Sequence, residues 1–191
     1  MASKKKKTAK AAKKKTTARK KAPAKKKAVA KAKARPKAPA AAASSGTGKA
    51  TPYLCCKGGV AALEFYKKAF GGVETLRIVG KDGSLGHGEV EIEGAAIMLS
   101  DEAPDLGVFS PHTLGGSPVS IHLYVKSCDA TAKRAVAAGA TVLDPVSDRP
   151  YGDRSGSLRD PFGHRWMIST KREEVSKEEM EKRFGGAYLV T

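Results

Sequence analysis

The first 50 residues of this chain contain no aspartate or glutamate, and Met1 and Val29 are their only apolar side chains larger than alanine or proline. Nineteen of the 36 basic residues lie in this stretch, which has a net charge of +19, whereas the remainder has 17 basic and 19 acidic residues, or −2. Without apolar area to bury, a segment cannot offset a backbone ordering cost of about 1–2 kcal/mol per residue. We therefore expect residues 1–50 to form a disordered Lys/Ala/Pro-rich basic tail and linker ahead of a nearly neutral domain.

Long apolar runs are also missing. No stretch of about 18 apolar residues occurs, and the basic start is not followed by the apolar core of a secretory signal, so we expect a cytoplasmic protein without a membrane span. The cysteine count is three, an odd number that favours reduced thiols over a disulfide framework. Cys55 and Cys56 are neighbours and would point to opposite faces of a strand, which is typical of small buried side chains.

The tail lacks aromatic residues that could stack on bases, but it has clusters of lysine. Each lysine–phosphate contact releases counterions, so binding to duplex DNA would weaken with salt at a log–log slope of about −0.9 per phosphate. With no ordered element to enter a groove, we expect non-specific nucleic-acid binding, and nucleoid association if the source is bacterial. Alternative roles are a solubilising tail or contact with an anionic membrane surface or polyphosphate. The lysines expected to bind nucleic acid are Lys4, Lys5, Lys6, Lys7, Lys13, Lys14, Lys15, Lys25, Lys26 and Lys27.

After the tail, the hydrophobic pattern predicts the unit βαβββ twice. Both predicted helices end in small residues, at Gly71-Gly72 and at Gly139-Ala140, and such duplication is informative about fold. We expect an α+β domain over residues 51–172, with modules 51–100 and 118–170, followed by a C-terminal helix and tail at 173–191. A capping box, Ser176 to Glu179, begins that last helix. The predicted strands are 51–56, 74–79, 85–92, 95–100, 119–125, 141–146, 154–159 and 165–170, and the predicted helices are 59–70, 129–138 and 175–184.

These paired modules resemble the vicinal oxygen chelate superfamily, which groups glyoxalases, bleomycin resistance proteins and extradiol dioxygenases. The resemblance rests on Leu63-Glu-Phe-Tyr-Lys-Lys-Ala-Phe70 in the first helix and on Asp160-Pro-Phe-Gly-His164 before the last strand. Within the superfamily, Thr51-Pro-Tyr-Leu54, Ile121-His-Leu-Tyr-Val125 and Tyr151-Gly-Asp-Arg-Ser155 look most like the PhnB-like branch. The resemblance covers about residues 51–184, and it implies a half-barrel sheet around a cavity and a homodimer. The Lys/Ala/Pro clusters of the tail are similar to the carboxy-terminal tails of linker histones.

The metal enzymes of this superfamily carry His or Glu at four cavity positions. The resemblance places these positions near Thr51, Met98, Ser120 and Met167. None of these side chains is a good ligand for a divalent ion, so we expect no metal or other cofactor.

Strand alternation indicates which other side chains share the cavity face. Tyr53 follows the face of Thr51, and His122 and Tyr124 follow the face of Ser120. We consider His87, His122 and Tyr53 as candidate catalytic residues, and a displaced metal on His87, His122 and Glu89 as a further alternative. The loop 148–155 offers a carboxylate, a guanidinium and an aromatic ring at a cavity rim, or else a turn closed by an Asp–Arg ion pair. The candidate ligand-binding residues are Tyr53, His122, Tyr124, Tyr151, Asp153, Arg154 and Arg165.

Three functions are consistent with this pattern. The preferred one is a nucleic-acid-associated protein with a metal-free domain that binds a small ligand. An alternative is a lyase or oxidoreductase acting on a small oxygenated substrate, and another is resistance by sequestering a drug. The sequence leaves the ligand open, because a fold does not fix chemistry.

Overall fold

The computed structural model describes residues 50–190. The tail and its ten predicted nucleic-acid-binding lysines lie outside these residues. The described chain forms β1 (Tyr53–Cys56), α1 (Gly59–Phe70), β2 (Val73–Val79), β3 (Leu85–Ile92), β4 (Ala95–Asp101), a 3-10 helix (Pro104–Leu106), α2 (Pro111–Leu114), β5 (Ser120–Tyr124), α3 (Cys128–Ala137), β6 (Thr141–Asp148), β7 (Asp153–Arg159), β8 (Arg165–Lys171) and α4 (Lys177–Arg183).

The strands form two four-stranded sheets of the same topology, with orders β1-β4-β3-β2 and β5-β8-β7-β6. In each sheet the first strand is parallel to its neighbour and the other pairs are antiparallel. The predicted α+β class with two βαβββ modules is therefore confirmed. The sequence missed two short helices in the loop before β5, because a single helical turn has too few residues to show a period.

Helix α1 buries one face and is capped at both ends, by Gly71 next to it in sequence and by Asp101 of β4. Gly71 follows the helix in the left-handed conformation (φ 74°), and its N–H donates to the Lys67 carbonyl. At the other end, the Asp101 carboxylate of β4 accepts from the N–H groups of Gly58 (2.8 Å) and Gly59 (2.6 Å). Its other oxygen accepts from Leu85 N–H at 2.6 Å, so one carboxylate joins β3, β4 and the start of α1.

The two modules share a single core. The rings of Tyr66 and Phe70 in α1 contact Trp166 of β8, at centroid distances of 5.3 and 4.6 Å. A buried carboxylate, Asp160, accepts from Tyr66 OH (2.8 Å) and Trp166 Nε1 (2.9 Å). It also accepts from the backbone N–H groups of Phe162 and His164, so four donors from both modules surround it.

Each sheet has one face against the helices and one face that does not pack on them, which we call the open face. The alternation is visible in β1, where Leu54 and Cys56 are buried whereas Tyr53 is 53% exposed. Cys55 is half-buried and Cys56 is fully buried, as expected for neighbours on opposite faces. Within residues 50–190 no helix is both long and apolar enough to cross a membrane.

Candidate ligand-binding site

The open faces of the two sheets carry equivalent rows of side chains. In the first sheet, Tyr53 is paired with Met98 and Met98 with Glu89. In the second, His122 is paired with Met167 and Met167 with Ser157. Directly paired residues point to the same face of a sheet. The two modules therefore place a methionine at the same central position and different polar side chains on either side of it.

A cavity of about 570 Å³ lies along β1 and β5, the first strands of the two modules, and its walls come from both. Tyr53 and His122 both line it, so the structure brings two of the three candidate catalytic residues to one cavity. Thr51 and Ser120 line it as well. The other lining residues are Ala50, Pro52, Leu54, Cys55, Phe109, Pro111, Leu114, Gly116, Ser117, Pro118, Val119, Ile121 and His164.

In the first module, Tyr53, His87 and Glu89 form a hydrogen-bonded chain. The Tyr53 hydroxyl lies 2.8 Å from Nδ1 of His87, and Nε2 of His87 lies 3.0 Å from Oε1 of Glu89. Because a carboxylate only accepts, the tautomer with a proton on Nε2 fits this arrangement, with Nδ1 as the acceptor for the tyrosine O–H. His87 therefore lies behind Tyr53, and Tyr53 is the member of the chain that lines the cavity.

In the second module, His122 and Tyr124 stand side by side on β5. Their rings stack at a centroid distance of 4.7 Å. Nε2 of His122 lies 2.7 Å from the hydroxyl of Ser169, which is fully buried. The Tyr124 hydroxyl donates to Oδ2 of Asp153 at 2.9 Å, and this hydrogen bond raises the pKa of Tyr124. The candidate residues of β5 are thus held by partners on β7 and β8.

The predicted rim around residues 148–155 is divided between the two faces of the second sheet. The hydroxyl of Tyr151 lies 3.2 Å from that of Ser155, on the open face. Arg154 instead faces the helices, where Nε donates to Asp129 at 2.7 Å and Nη1 to Asp148 at 3.2 Å. The structure therefore contains an Asp–Arg ion pair across this turn, between Asp148 and Arg154.

Arg165, the last predicted ligand-binding residue, is exposed at the start of β8. It is paired with Ser120 and Arg159 and is not among the residues lining the cavity.

The segment between β4 and β5 supplies a wall of the cavity that sequence reasoning missed. Phe109, Pro111 and Leu114 contribute apolar surface there. Glu102 fixes this wall, because its carboxylate accepts from Thr113 Oγ1 and from Ser110 N–H. These hydrogen bonds lower the pKa of Glu102 to about 2. A loop has no hydrophobic period, so this wall could not be predicted from the sequence beyond the apolar residues themselves.

The four positions at which the superfamily's metal enzymes carry His or Glu do not fit a divalent ion in this chain. Thr51 and Ser120 present hydroxyl groups, and Met98 and Met167 present thioethers, which are poor ligands for hard or borderline ions. The alternative set is not assembled either, because His87 bonds Glu89 while His122 bonds Ser169. Within the part of the chain that the structure describes, no three His, Cys, Asp or Glu residues lie close enough to hold a metal ion.

Comparisons with known proteins agree with this architecture. A family model described as the glyoxalase/bleomycin resistance protein/dioxygenase superfamily matches residues 54–168. An uncharacterised protein of Mycobacterium tuberculosis is 41% identical over 134 residues, which are 69% of this chain and 79% of that protein.

Two solved structures extend the comparison. A gene product of Arabidopsis thaliana is 27% identical, with a TM-score of 0.52 over 63% of this chain and 97% of that one. A fosfomycin resistance protein of Listeria monocytogenes, solved with Mn(II) and a dihydroxypropylphosphonic acid, is 19% identical, with a TM-score of 0.50 over 72% of this chain and 98% of that one. The Listeria structure is evidence for the fold alone. This chain belongs to the glyoxalase/bleomycin resistance protein/dioxygenase superfamily.

Proposed function

We propose that this protein is a nucleic-acid-associated member of the superfamily whose folded domain binds a small organic ligand without a catalytic metal. The observation that carries the proposal is the cavity between β1 and β5, which has apolar walls and the polar groups of Tyr53 and His122. Ligand sites in proteins have this character, since apolar walls supply affinity and a few polar groups fix orientation. The unsuitable side chains at the four metal positions support the same proposal.

A thermal-shift screen of small polar and drug-like compounds on the full-length chain tests this proposal. Binding to the native state alone raises the melting temperature. We expect Tyr53→Phe and His122→Leu each to weaken the Kd of a stabilising compound about 2–10-fold, because each removes one hydrogen bond. Tyr188→Phe is a matched control, since Tyr188 is 64% exposed and outside the cavity lining.

The proposal is wrong if no compound stabilises the chain, or if the cavity variants bind as well as the control. Stabilisation without turnover of the compound is also the behaviour expected of a drug-sequestering protein.

Acid–base catalysis on a small oxygenated substrate is a second candidate, favoured by the Tyr53–His87–Glu89 chain. In this role Tyr53 would exchange a proton with the substrate and His87 Nδ1 would receive the tyrosine proton, while Glu89 fixes the tautomer of His87. His87→Gln would then reduce kcat by about 10²-fold or more with little change in the binding of substrate. If His87→Gln weakens binding and no turnover of any compound is found, Tyr53, His87 and Glu89 orient a ligand and do not catalyse a reaction.

The tail supports the nucleic-acid part of the proposal through its charge of +19. Two variants of the full-length chain test it, one with the ten named lysines changed to glutamine and one with the same ten changed to arginine. We expect the arginine variant to bind duplex DNA like the wild type, and the glutamine variant to bind weakly and with a shallower salt dependence between about 50 and 300 mM. Equal binding by the glutamine variant would contradict the proposal.

A homodimer is the assembly that we propose for the folded domain. The segment before β5 exposes three large apolar side chains, Leu106 (76%), Leu114 (65%) and Val119 (65%), and a second copy of the chain would cover such a surface. Sedimentation of the full-length chain checks this, with a dimer mass expected at micromolar concentration. Leu106→Ser, at a residue outside the cavity lining, should shift the equilibrium toward monomer, and a wild-type monomer would contradict the proposal.

A further inference from the structure

A buried carboxylate on the open face of the second sheet has only half of its hydrogen-bonding capacity used. Asp153 begins β7 and is 3% exposed, and Oδ2 accepts from the Tyr124 hydroxyl at 2.9 Å. Among residues 50–190, Oδ1 has no hydrogen-bond partner although it is fully covered. Buried charges in proteins are normally paired, because the loss of hydration is otherwise uncompensated. This oxygen is therefore a covered acceptor that has no hydrogen-bond donor.

Lys171 is the cation near Oδ1 of Asp153, but it does not donate a hydrogen bond to this oxygen. Nζ of Lys171 lies 3.9 Å from Oδ1 of Asp153, which is too far for a hydrogen bond. It lies closer to Glu174, at 3.3 Å, and its side chain is 45% exposed. Lys171 can therefore move away from Asp153 without leaving its other partner or its contact with water.

A second unpartnered atom lies on the same face of the same strand. Oγ of Ser157 is also buried and has no hydrogen-bond partner within the described chain. Between the two, Ser155 is occupied by Arg149 and Tyr151. Four residues of a strand span about 13 Å, so Asp153 and Ser157 mark two ends of one polar strip on β7, which β8 separates from His122 and Tyr124 of β5.

We propose that this strip is a subsite for a protonated amine, with Asp153 as the partner of the ammonium group and Ser157 as the partner of a second polar group roughly 10 Å away. The proposal rests on the proposed ligand binding and names the class of ligand. A carboxylate accepts hydrogen bonds and repels anions, so the group at Oδ1 must be a donor, and a cation also neutralises the charge. The ring of Tyr124 adjoins Asp153 through the hydrogen bond of its hydroxyl and is 53% exposed, so an aromatic ring also lies near the same cation.

Three probes of equal length and different charge test the inference on the full-length chain. They are 6-aminohexanol, 1,6-hexanediol and 6-hydroxyhexanoate, and binding is measured by ligand-detected NMR. We expect the amine to bind wild type about tenfold or more tightly than the diol, since a hydrogen bond to a charged group is stronger than one to a neutral group. The tail can bind the anionic probe, 6-hydroxyhexanoate, but this binding is the same in every variant because every variant retains the tail.

Four variants assign the effect. Asp153→Asn should abolish the preference for the amine, and Ser157→Ala should weaken binding of both the amine and the diol. Lys171→Met should strengthen amine binding, because it removes a competing cation. Asp148→Asn is the matched control, since the Asp148 side chain is 78% exposed and pairs with Arg154.

Each outcome is decisive. The inference is overturned if Asp153→Asn keeps the preference, or if Lys171→Met destabilises the fold and leaves amine binding unchanged, which would make Lys171 the structural partner of Asp153. If other compounds bind in a manner that depends on Tyr53 and His122 but no amine preference exists, the ligand-binding proposal stands and the amine subsite is wrong. If nothing binds, the ligand-binding proposal itself fails.

Discussion

Individual polar side chains in this domain differ in how completely they are satisfied, and this difference separates structural residues from candidate functional ones. Asp160 accepts from four donors in the core, at distances of 2.8–2.9 Å. Asp153, equally buried, accepts from one side chain. A fully satisfied carboxylate stabilises the fold, whereas the unpaired oxygen of Asp153 is the acceptor on which the proposed amine subsite rests.

Replacement of Asp160 by alanine should reduce the free energy of unfolding by about 3 kcal/mol or more, because the donors of Tyr66, Trp166 and two backbone amides would remain buried without an acceptor. Chemical denaturation of the full-length chain measures this change. Asp148→Ala removes a carboxylate from an exposed ion pair and should cost less than about 1 kcal/mol. Equal losses in the two variants would contradict the structural role of Asp160.

His164 predicts a pH dependence of stability. It is 7% exposed, and burial, which is the largest cause, lowers its pKa below the ordinary value of 6.5, while the nearby Asp160 partly opposes the shift. Below pH 6.5 the unfolded chain binds a proton at His164 more readily than the folded chain does. The contribution of buried, neutral His164 to the free energy of unfolding is therefore complete above pH 6.5 and is lost as the pH falls below that value.

Denaturation midpoints between pH 5 and 8 measure this effect, and His164→Gln should flatten the profile over that range. An unchanged slope in the variant would show that other groups cause the pH dependence.

At the scale of an element, helix α1 depends on residues that are distant in sequence. Its N-cap residue, Gly58, has no side chain to accept the first amide protons, and Asp101 of β4 accepts them instead. The helix dipole further favours a carboxylate at this end. The end of the strand and the start of the helix are therefore stabilised by the same side chain.

Asp101→Ala should destabilise the domain by about 1–2 kcal/mol, the usual cost of removing an N-cap, because three backbone amides lose their acceptor. Thermal and chemical unfolding followed by circular dichroism check this value. Asp101→Asn should recover part of the loss, since the amide oxygen can still accept. The exposed Asp105→Ala is the control, and the role of Asp101 as the cap is refuted if the control loses as much stability.

At the scale of the whole domain, the two modules are expected to unfold together. The chain has one tryptophan, Trp166, which is fully buried and contacts Tyr66 and Phe70 of the other module. Tryptophan fluorescence reports the shared core and circular dichroism reports both sheets, so the two signals should change at the same denaturant concentration. Two separated transitions would mean that each module is stable by itself.

The repeated module is predictable from the amino-acid pattern alone, because the hydrophobic period and the glycines that end helices are local properties. The stop at Gly71 and the cap at Ser176, whose hydroxyl accepts from Glu179 N–H at 3.2 Å, are both present where the sequence predicted them. The face of Tyr53 and the separation of Cys55 from Cys56 also follow from strand alternation.

Which polar residues lie together depends on long-range packing. His87 meets Tyr53 across 34 residues of sequence, and Asp160 meets Tyr66 across 94, distances over which no local pattern carries information. Arg154 and Asp153 are neighbours in sequence and both are candidate ligand-binding residues. In the structure, Arg154 pairs with Asp129 of α3, whereas Asp153 lies on the open face of the sheet. Their difference arises because alternate residues of a strand point to opposite faces, and only the packing of the helices determines which face is left for a ligand.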